Sequence, residues 1–319
     1  MKAWSALRRS GPTFFVIGHC DAIAAAFPPG SVAVERIASP EQALGVFGQS
    51  LPVLEPAPTR NTLAASSEVA RSAAIIEWIE AAVGFAVDRS ASGIVTAPIS
   101  KAVLYQGGFR FPGHTEFLAE LTRSVPMAGE RGPVMMLAAR DLRVSLVTIH
   151  EPLSAVSQAV TRDRVIRTAR VTHQALVRDF AIQSPRLALA GLNPHAGEGG
   201  AIGREEIDVL EPAIATLLAE GIDISAPRPA DTLFHEEARR GYDAAICLYH
   251  DQALIPIKTL DFWGAVNVTL GLPIVRASPD HGTGFDIAGK GIARPDSLIA
   301  ALRMASEVAA RRAVTPESP

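Results

Sequence analysis

Cysteine, runs of like charge and long apolar stretches are all scarce in this sequence. Only Cys20 and Cys247 occur in 319 residues, which excludes a disulfide framework and suits a reducing compartment. Cys247 sits inside the apolar run Ala244–Leu248, where a thiol acts as a small buried hydrophobe. No Lys/Arg run breaks a formal net charge of -3, so nothing marks a nucleic-acid face. No window reaches the ~18 apolar residues that a membrane helix needs. The opening MKAWSALRRSGPTFFVIG is too polar for a secretory signal. These absences predict a cytoplasmic protein with no nucleic-acid or membrane partner. Internal repeats and low-complexity segments are missing too.

What remains is the balance of a globular chain, 48% apolar and 20% charged, long enough for two lobes. A helix is expected over Ala3–Arg9, a short strand over Thr13–Gly18 and another over Val32–Ile37. Leu44–Arg60, with Pro52, Pro56 and Pro58, reads as an irregular connection. The alanine-rich periodicity of Thr62–Val87 predicts a long helix. Strand Ser92–Thr96 and helix Lys101–Gln106 follow, and Phe117–Thr122 reads as helical. Further strands are expected at Val134–Leu137, Val144–Ile149, Arg186–Ala190 and Ala244–Tyr249, with helices over Thr161–Asp179 and Ile207–Glu220. The tail RRAVTPESP is expected to fray. Strands alternating with helices imply an α/β fold with a largely parallel sheet, whose sites gather beyond the carboxyl ends of the strands.

His150, His195 and His250 each follow such a strand at or near its end. Neutral imidazole is a common ligand for divalent metals, and three leave a position open for substrate or water. Any one of these histidines alone reads first as a loop residue bonded to backbone; three at corresponding strand ends are what bring the metal reading level with it. Asp251, next to His250, is placed to orient that ring. The loop GLNPHAGEGGAIGREE (191–206) puts five glycines into thirteen residues before a helix. It can turn main-chain N–H groups toward an anion, though it lacks the Gly-Lys-Ser/Thr ending of a phosphate loop. Lys258, Asn267 and Arg276 recur at nine-residue spacing across strand-like segments, and either clamp a phosphate or carboxylate or lie solvated on the surface. The turn HGTGFDIAGKG (281–291) lacks the Rossmann fingerprint. On residues alone the chain reads as a divalent-metal α/β enzyme acting on a small anionic substrate.

The motifs FPGHTEF (111–117), VTIHEPL (147–153), GLNPHAGEGGAIGREE (191–206), PADTLF (229–234), YHDQALIPIK (249–258), VNVTLGLPIVR (266–276) and SPDHGTGFDIAGKG (278–291) stand in one order over most of the chain. In them the sequence resembles the 4-hydroxythreonine-4-phosphate dehydrogenase family of pyridoxal 5'-phosphate biosynthesis. The resemblance implies a two-lobed isocitrate/isopropylmalate dehydrogenase-like fold, with a mixed, largely parallel sheet and a cleft between lobes. Residues 1–97 with 265–319 would form a terminal lobe carrying the cofactor loop, and 98–264 a central lobe with the metal site and dimer interface. The implied reaction is the NAD(P)-linked oxidation and decarboxylation of 4-phosphohydroxy-L-threonine to 3-amino-2-oxopropyl phosphate.

Carried over by position, the resemblance assigns one divalent metal (zinc, cobalt, manganese or magnesium) to His150, His195 and His250, with ligands drawn from both protomers of a homodimer. It assigns substrate contacts to His114, Thr115, Lys258, Asn267 and Arg276. Asp231 and Asp251 become candidates for orienting or proton-transfer roles, and His281, Gly282, Thr283 and Asp286 fall on the NAD or NADP loop. Relatives acting on threonate or erythronate 4-phosphate, or on aromatic cis-dihydrodiol carboxylates, define the alternative substrates, and a metal- or nucleotide-binding protein without turnover is the non-enzymatic one. Three departures stand out. The family's opening strand and glycine turn are not matched, since the sequence starts at the helix that follows them. Gly284 replaces the usual alanine, and Arg294 stands where the wider dehydrogenase group often has an adenine-reading asparagine.

Overall fold

The computed structural model describes residues 1–27, 30–56, 68–106 and 108–314, with the side chains of 68–71 and 106 outside that description. Among the described residues the strands, in chain order, are β1 (Val16–Ile17), β2 (Val34–Ile37), β3 (Leu51–Leu54), β4 (Ile94–Val95), β5 (Val134–Ala139), β6 (Leu142–Leu146), β7 (Arg186–Ala190), β8 (Asp223–Arg228), β9 (Ala244–Cys247), β10 (Val266–Leu270) and β11 (Arg276–Pro279). Helices alternate with most of them, giving the α/β class that the sequence predicts. The chain divides into two compact units, Met1–Val125 with Pro273–Ser306 and Pro126–Leu272 with Glu307–Pro319.

In the first unit β1, β3 and β2 form a parallel sheet in that order, and β4 pairs in parallel with β11. The central β3 overturns the expectation of an irregular Leu44–Arg60, and a short helix at Gln42–Val46 precedes it. Its Pro52 signals a break in sequence, because proline cannot donate to a sheet ladder. The register removes the conflict. Leu51 N–H points to Ala33 on the β2 side, so a Pro52 donor would have pointed the other way, where β1 begins pairing only at Val53. Residues 57–67, including the start of the expected Thr62–Val87 helix, lie outside the described residues, and the helix is seen over Glu68–Val87. Trp4, Leu7, Phe47, Leu51 and Val53 pack a core over the sheet.

In the second unit the strand order is β10-β5-β6-β9-β7-β8. β5 and β6 form a tight antiparallel hairpin, β10 runs antiparallel to β5, and β6, β9, β7 and β8 are parallel neighbours. The strand runs VMMLAA and AAIC are buried at every position, as expected of strands covered on both faces. In this unit sequence reading passes over β8, because Pro227 and its charged ends mask it. Of the three residues expected on strand-like segments, Asn267 lies in β10 and Arg276 opens β11, but Lys258 lies in the helix His250–Leu260. No helix among the described residues is long and apolar enough to cross a membrane.

Candidate active site

The parallel block β6-β9-β7 decides where the three histidines go. His150 follows β6, His250 follows β9 and His195 follows β7, so three adjacent strands end on one edge of the sheet. Thr148 ties the first two segments together: its Oγ donates to Leu248 O at 2.6 Å, and its N–H donates to the same carbonyl. Buried Gln252 ties the second to the third, accepting from Leu248 N–H at 2.7 Å and donating to Gly191 O at 2.7 Å.

The rings of His150 and His250 lie 6.0 Å apart, tilted 37° to one another. Two imidazoles on one zinc put their ring centres roughly 5 to 6 Å apart, given metal–nitrogen bonds of about 2 Å. The pair therefore fits a shared divalent ion. Nδ1 of His250 is 2.7 Å from Asp251 Oδ1, which leaves Nε2 as the ring atom open to a ligand, in an arrangement where a carboxylate fixes tautomer and ring direction. His195 is exposed on the loop after β7 and does not complete the pair: among the described residues no three His, Cys, Asp or Glu side chains of one chain form a metal-holding group.

Asp231, on the short turn Ala230–Thr232, shares a cavity of about 590 Å³ with Asp251, Tyr249, Gln252 and Arg239. Lys258 is half-buried, its ammonium 5.1 Å from the Phe262 ring centre. Asn267 stands opposite Leu137 on the β10–β5 ladder, and its Oδ1 is buried without a hydrogen-bond partner among the described residues. Buried polar atoms are nearly always satisfied, so this oxygen suits contact with a bound molecule.

The first unit holds a buried cationic side chain, Arg276. Arg276 is only 5% exposed, and its guanidinium donates to Thr96 Oγ at 2.7 Å. Burial pulls its pKa down to about 10, against the opposing charge of Glu116, so it stays cationic at neutral pH. His114 opens the helix His114–Leu121. Burial, and then the Arg276 charge, push its pKa down to about 4, so it is neutral while Arg276 carries the charge. Thr115 follows on the same first turn. Sequence reading names Arg276 but not Thr96, because a strand-end threonine carries no signal until β4 and β11 are paired.

The turn at His281–Asp286 is exposed, with His281 Nδ1 2.9 Å from Gly282 O. Gly284 takes φ +63, and a Cβ at Gly282 would meet nothing within 4 Å. Thr283 and Asp286 stand on this open turn, where main chain can approach a nucleotide. Lys2 pins its far end, donating to Gly291 O at 2.8 Å and Ala293 O at 2.7 Å. Arg294 is bonded to Asp296 at 3.0 Å, so part of its guanidinium is already engaged beside the loop.

Residues 11–305 match the family described as Pyridoxal phosphate biosynthetic protein PdxA. The chain belongs to that family. It is 59% identical over 313 residues to a 4-hydroxythreonine-4-phosphate dehydrogenase of Caulobacter vibrioides, covering 98% of this chain and 93% of that one. The crystal structure of the Klebsiella pneumoniae 4-hydroxythreonine-4-phosphate dehydrogenase matches with a TM-score of 0.82 at 30% identity, covering 96% of this chain and 92% of that one. A terephthalate 1,2-cis-dihydrodiol dehydrogenase of Burkholderia xenovorans matches less closely, with a TM-score of 0.59 at 28% identity over 86% of this chain and 83% of that one. The PdxA family thus agrees with the resemblance that the motifs carry.

Proposed function

We propose that the chain is a metal-dependent NAD(P)-linked dehydrogenase that oxidises 4-phosphohydroxy-L-threonine and releases carbon dioxide, forming 3-amino-2-oxopropyl phosphate. The observation that carries this reading is the His150–His250 pair at adjacent strand ends, with Asp251 on the second ring. His150, His195 and His250 would hold a divalent metal and residues 281–286 the NAD+ or NADP+; bound, the metal acidifies the substrate hydroxyl and draws electrons from the new ketone, and the nicotinamide accepts hydride.

The protein's own groups supply position and proton traffic. Arg276, buried and cationic, anchors an anionic group of the substrate with a planar fork that Thr96 orients. His114 and Thr115 offer neutral hydrogen bonds beside it, and the Asn267 amide and Lys258 provide further substrate contacts. Asp251 is committed to His250. That leaves Asp231, exposed in the same cavity, to take the hydroxyl proton as the C–H bond gives up its hydride. The resulting 3-oxo acid then loses its carboxylate as carbon dioxide, the C–C electron pair passing to the neighbouring carbonyl, and the enolate takes up a proton on carbon to give 3-amino-2-oxopropyl phosphate.

One chain brings two imidazoles together, so we propose that the third ligand comes from a second copy. Supporting this, the helix that His250 opens presents Ile255, with Phe262 and Trp263 just beyond it, all exposed. An apolar patch of this kind marks an interface. Both cysteines are buried and free, which supports a cytoplasmic location.

Purified protein with a divalent metal should reduce NAD+ or NADP+ on addition of 4-phosphohydroxy-L-threonine and stop when the metal is chelated. Reduction with threonate 4-phosphate or an aromatic cis-dihydrodiol carboxylate, but not with the amino acid, would sink the substrate assignment.

A further inference from the structure

The loop that presents His195 is folded the wrong way for L-residues. His195, Ala196, Gly197, Glu198 and Gly199 all have positive φ, from 45° to 79°. Three of the five carry side chains, and each such left-handed residue costs about 1 kcal/mol or more. Five in succession persist only if the surroundings hold them. The glycine-rich loop is expected from sequence to aim its N–H groups at an external anion, and the structure shows that two of them already have an internal one.

That anion is Glu206, at the start of the π-helical turn Glu206–Leu210 and 3% exposed. Its Oε1 accepts from Leu192 N–H at 2.7 Å and Asn193 N–H at 2.8 Å, and its Oε2 accepts from the Asn193 side-chain amide at 2.8 Å. Asn193 O in turn accepts from Ala196 N–H at 3.1 Å, so the clamp reaches both sides of His195. Oε2 fills the space that a Cβ at Gly197 would take, only 2.6 Å from it.

We infer that Glu206 is a positioning residue for the metal site, holding the left-handed turn that aims His195 at the metal. This rests on the reading of His195 as a ligand. Glu206 is buried, its carboxylate bonded to Leu192 and Asn193 of the loop, so it acts through the loop. Loss of such a supporting group lowers metal affinity about 10- to 100-fold.

The test is titration of the metal-stripped, full-length protein with Co2+, followed by its visible d–d absorption, with circular dichroism as the check on fold. Glu206→Ala should bind Co2+ at least about 10-fold more weakly with an altered band, while Glu206→Gln, whose amide oxygen can keep both main-chain bonds, should recover most of the affinity. If Glu206→Ala fails to fold, Asn193→Ala removes only the side-chain arm of the clamp and should still weaken Co2+ binding several-fold. Wild-type affinity and spectrum in a folded Glu206→Ala, or in Asn193→Ala where that variant decides, would overturn the inference. The reading beneath it fails separately, if His195→Ala itself binds Co2+ as the wild type does.

Discussion

At His114, loss of water and the neighbouring Arg276 charge act in the same direction, and together they hold the imidazole neutral with a pKa of about 4. Arg276 keeps its charge with a pKa of about 10. The pair therefore divides its work: one permanent cation and one uncharged hydrogen-bonding ring. A stability effect follows with a definite sign. Above the ordinary histidine pKa of about 6.5 the folded and unfolded chains bind the same number of protons at this ring. Below it the unfolded chain takes up a proton that the folded chain refuses, so stability falls from pH 6.5 to about 4. Unfolding of wild type and His114→Gln by denaturant, compared from pH 7 to 4, should show the wild type losing up to about 3 kcal/mol more over that window. Parallel curves would mean that His114 is protonated in the folded state. In sequence, His114 and Arg276 stand far apart, and Arg276 reads as either an anion clamp or a solvated surface group; only the β4–β11 pairing buries the arginine against Thr96.

Among the elements, legibility depended on whether a pattern was local. The buried runs of β5, β7 and β9 announce themselves by hydrophobicity, and the three histidines at parallel strand ends follow from order along the chain. β3 did not, since Pro52 reads as a breaker until the neighbouring strand is known to start one residue later. The loop Gly191–Glu206 was recognisable as glycine-rich, but its sense was hidden: a Glu-Glu pair at a helix start looks like a solvated first turn, and Glu206 is buried instead. Two of its glycines should respond differently. Gly197 combines φ +79 with a 2.6 Å approach to Glu206, whereas Gly199 at φ +65 has open space around it. Alanine at 197 should cost about 2 to 4 kcal/mol in denaturant unfolding, and alanine at 199 about 1 kcal/mol. Equal costs at the two positions would show that the carboxylate does not fill the loop.

For the whole molecule, the central claim is that the metal is shared by two copies of the chain. His150 and His250 sit together in one copy, His195 does not join them in a metal-holding group among the described residues, and Ile255, Phe262 and Trp263 are exposed on and just after the helix that His250 opens. If two ligands come from one protomer and one from its partner, single-histidine variants that are each inactive can complement. Mixing two such variants, with subunits exchanged, makes about half heterodimers, each with one intact site of two, hence about a quarter of wild-type turnover. The most direct measurement is therefore activity and bound metal in the three pairwise mixtures of His150→Ala, His195→Ala and His250→Ala. The account predicts recovery to about a quarter in both mixtures that contain His195→Ala, and none for His150→Ala with His250→Ala, whose ligands share a protomer. Failure of all three mixtures, with subunit exchange verified, would contradict it.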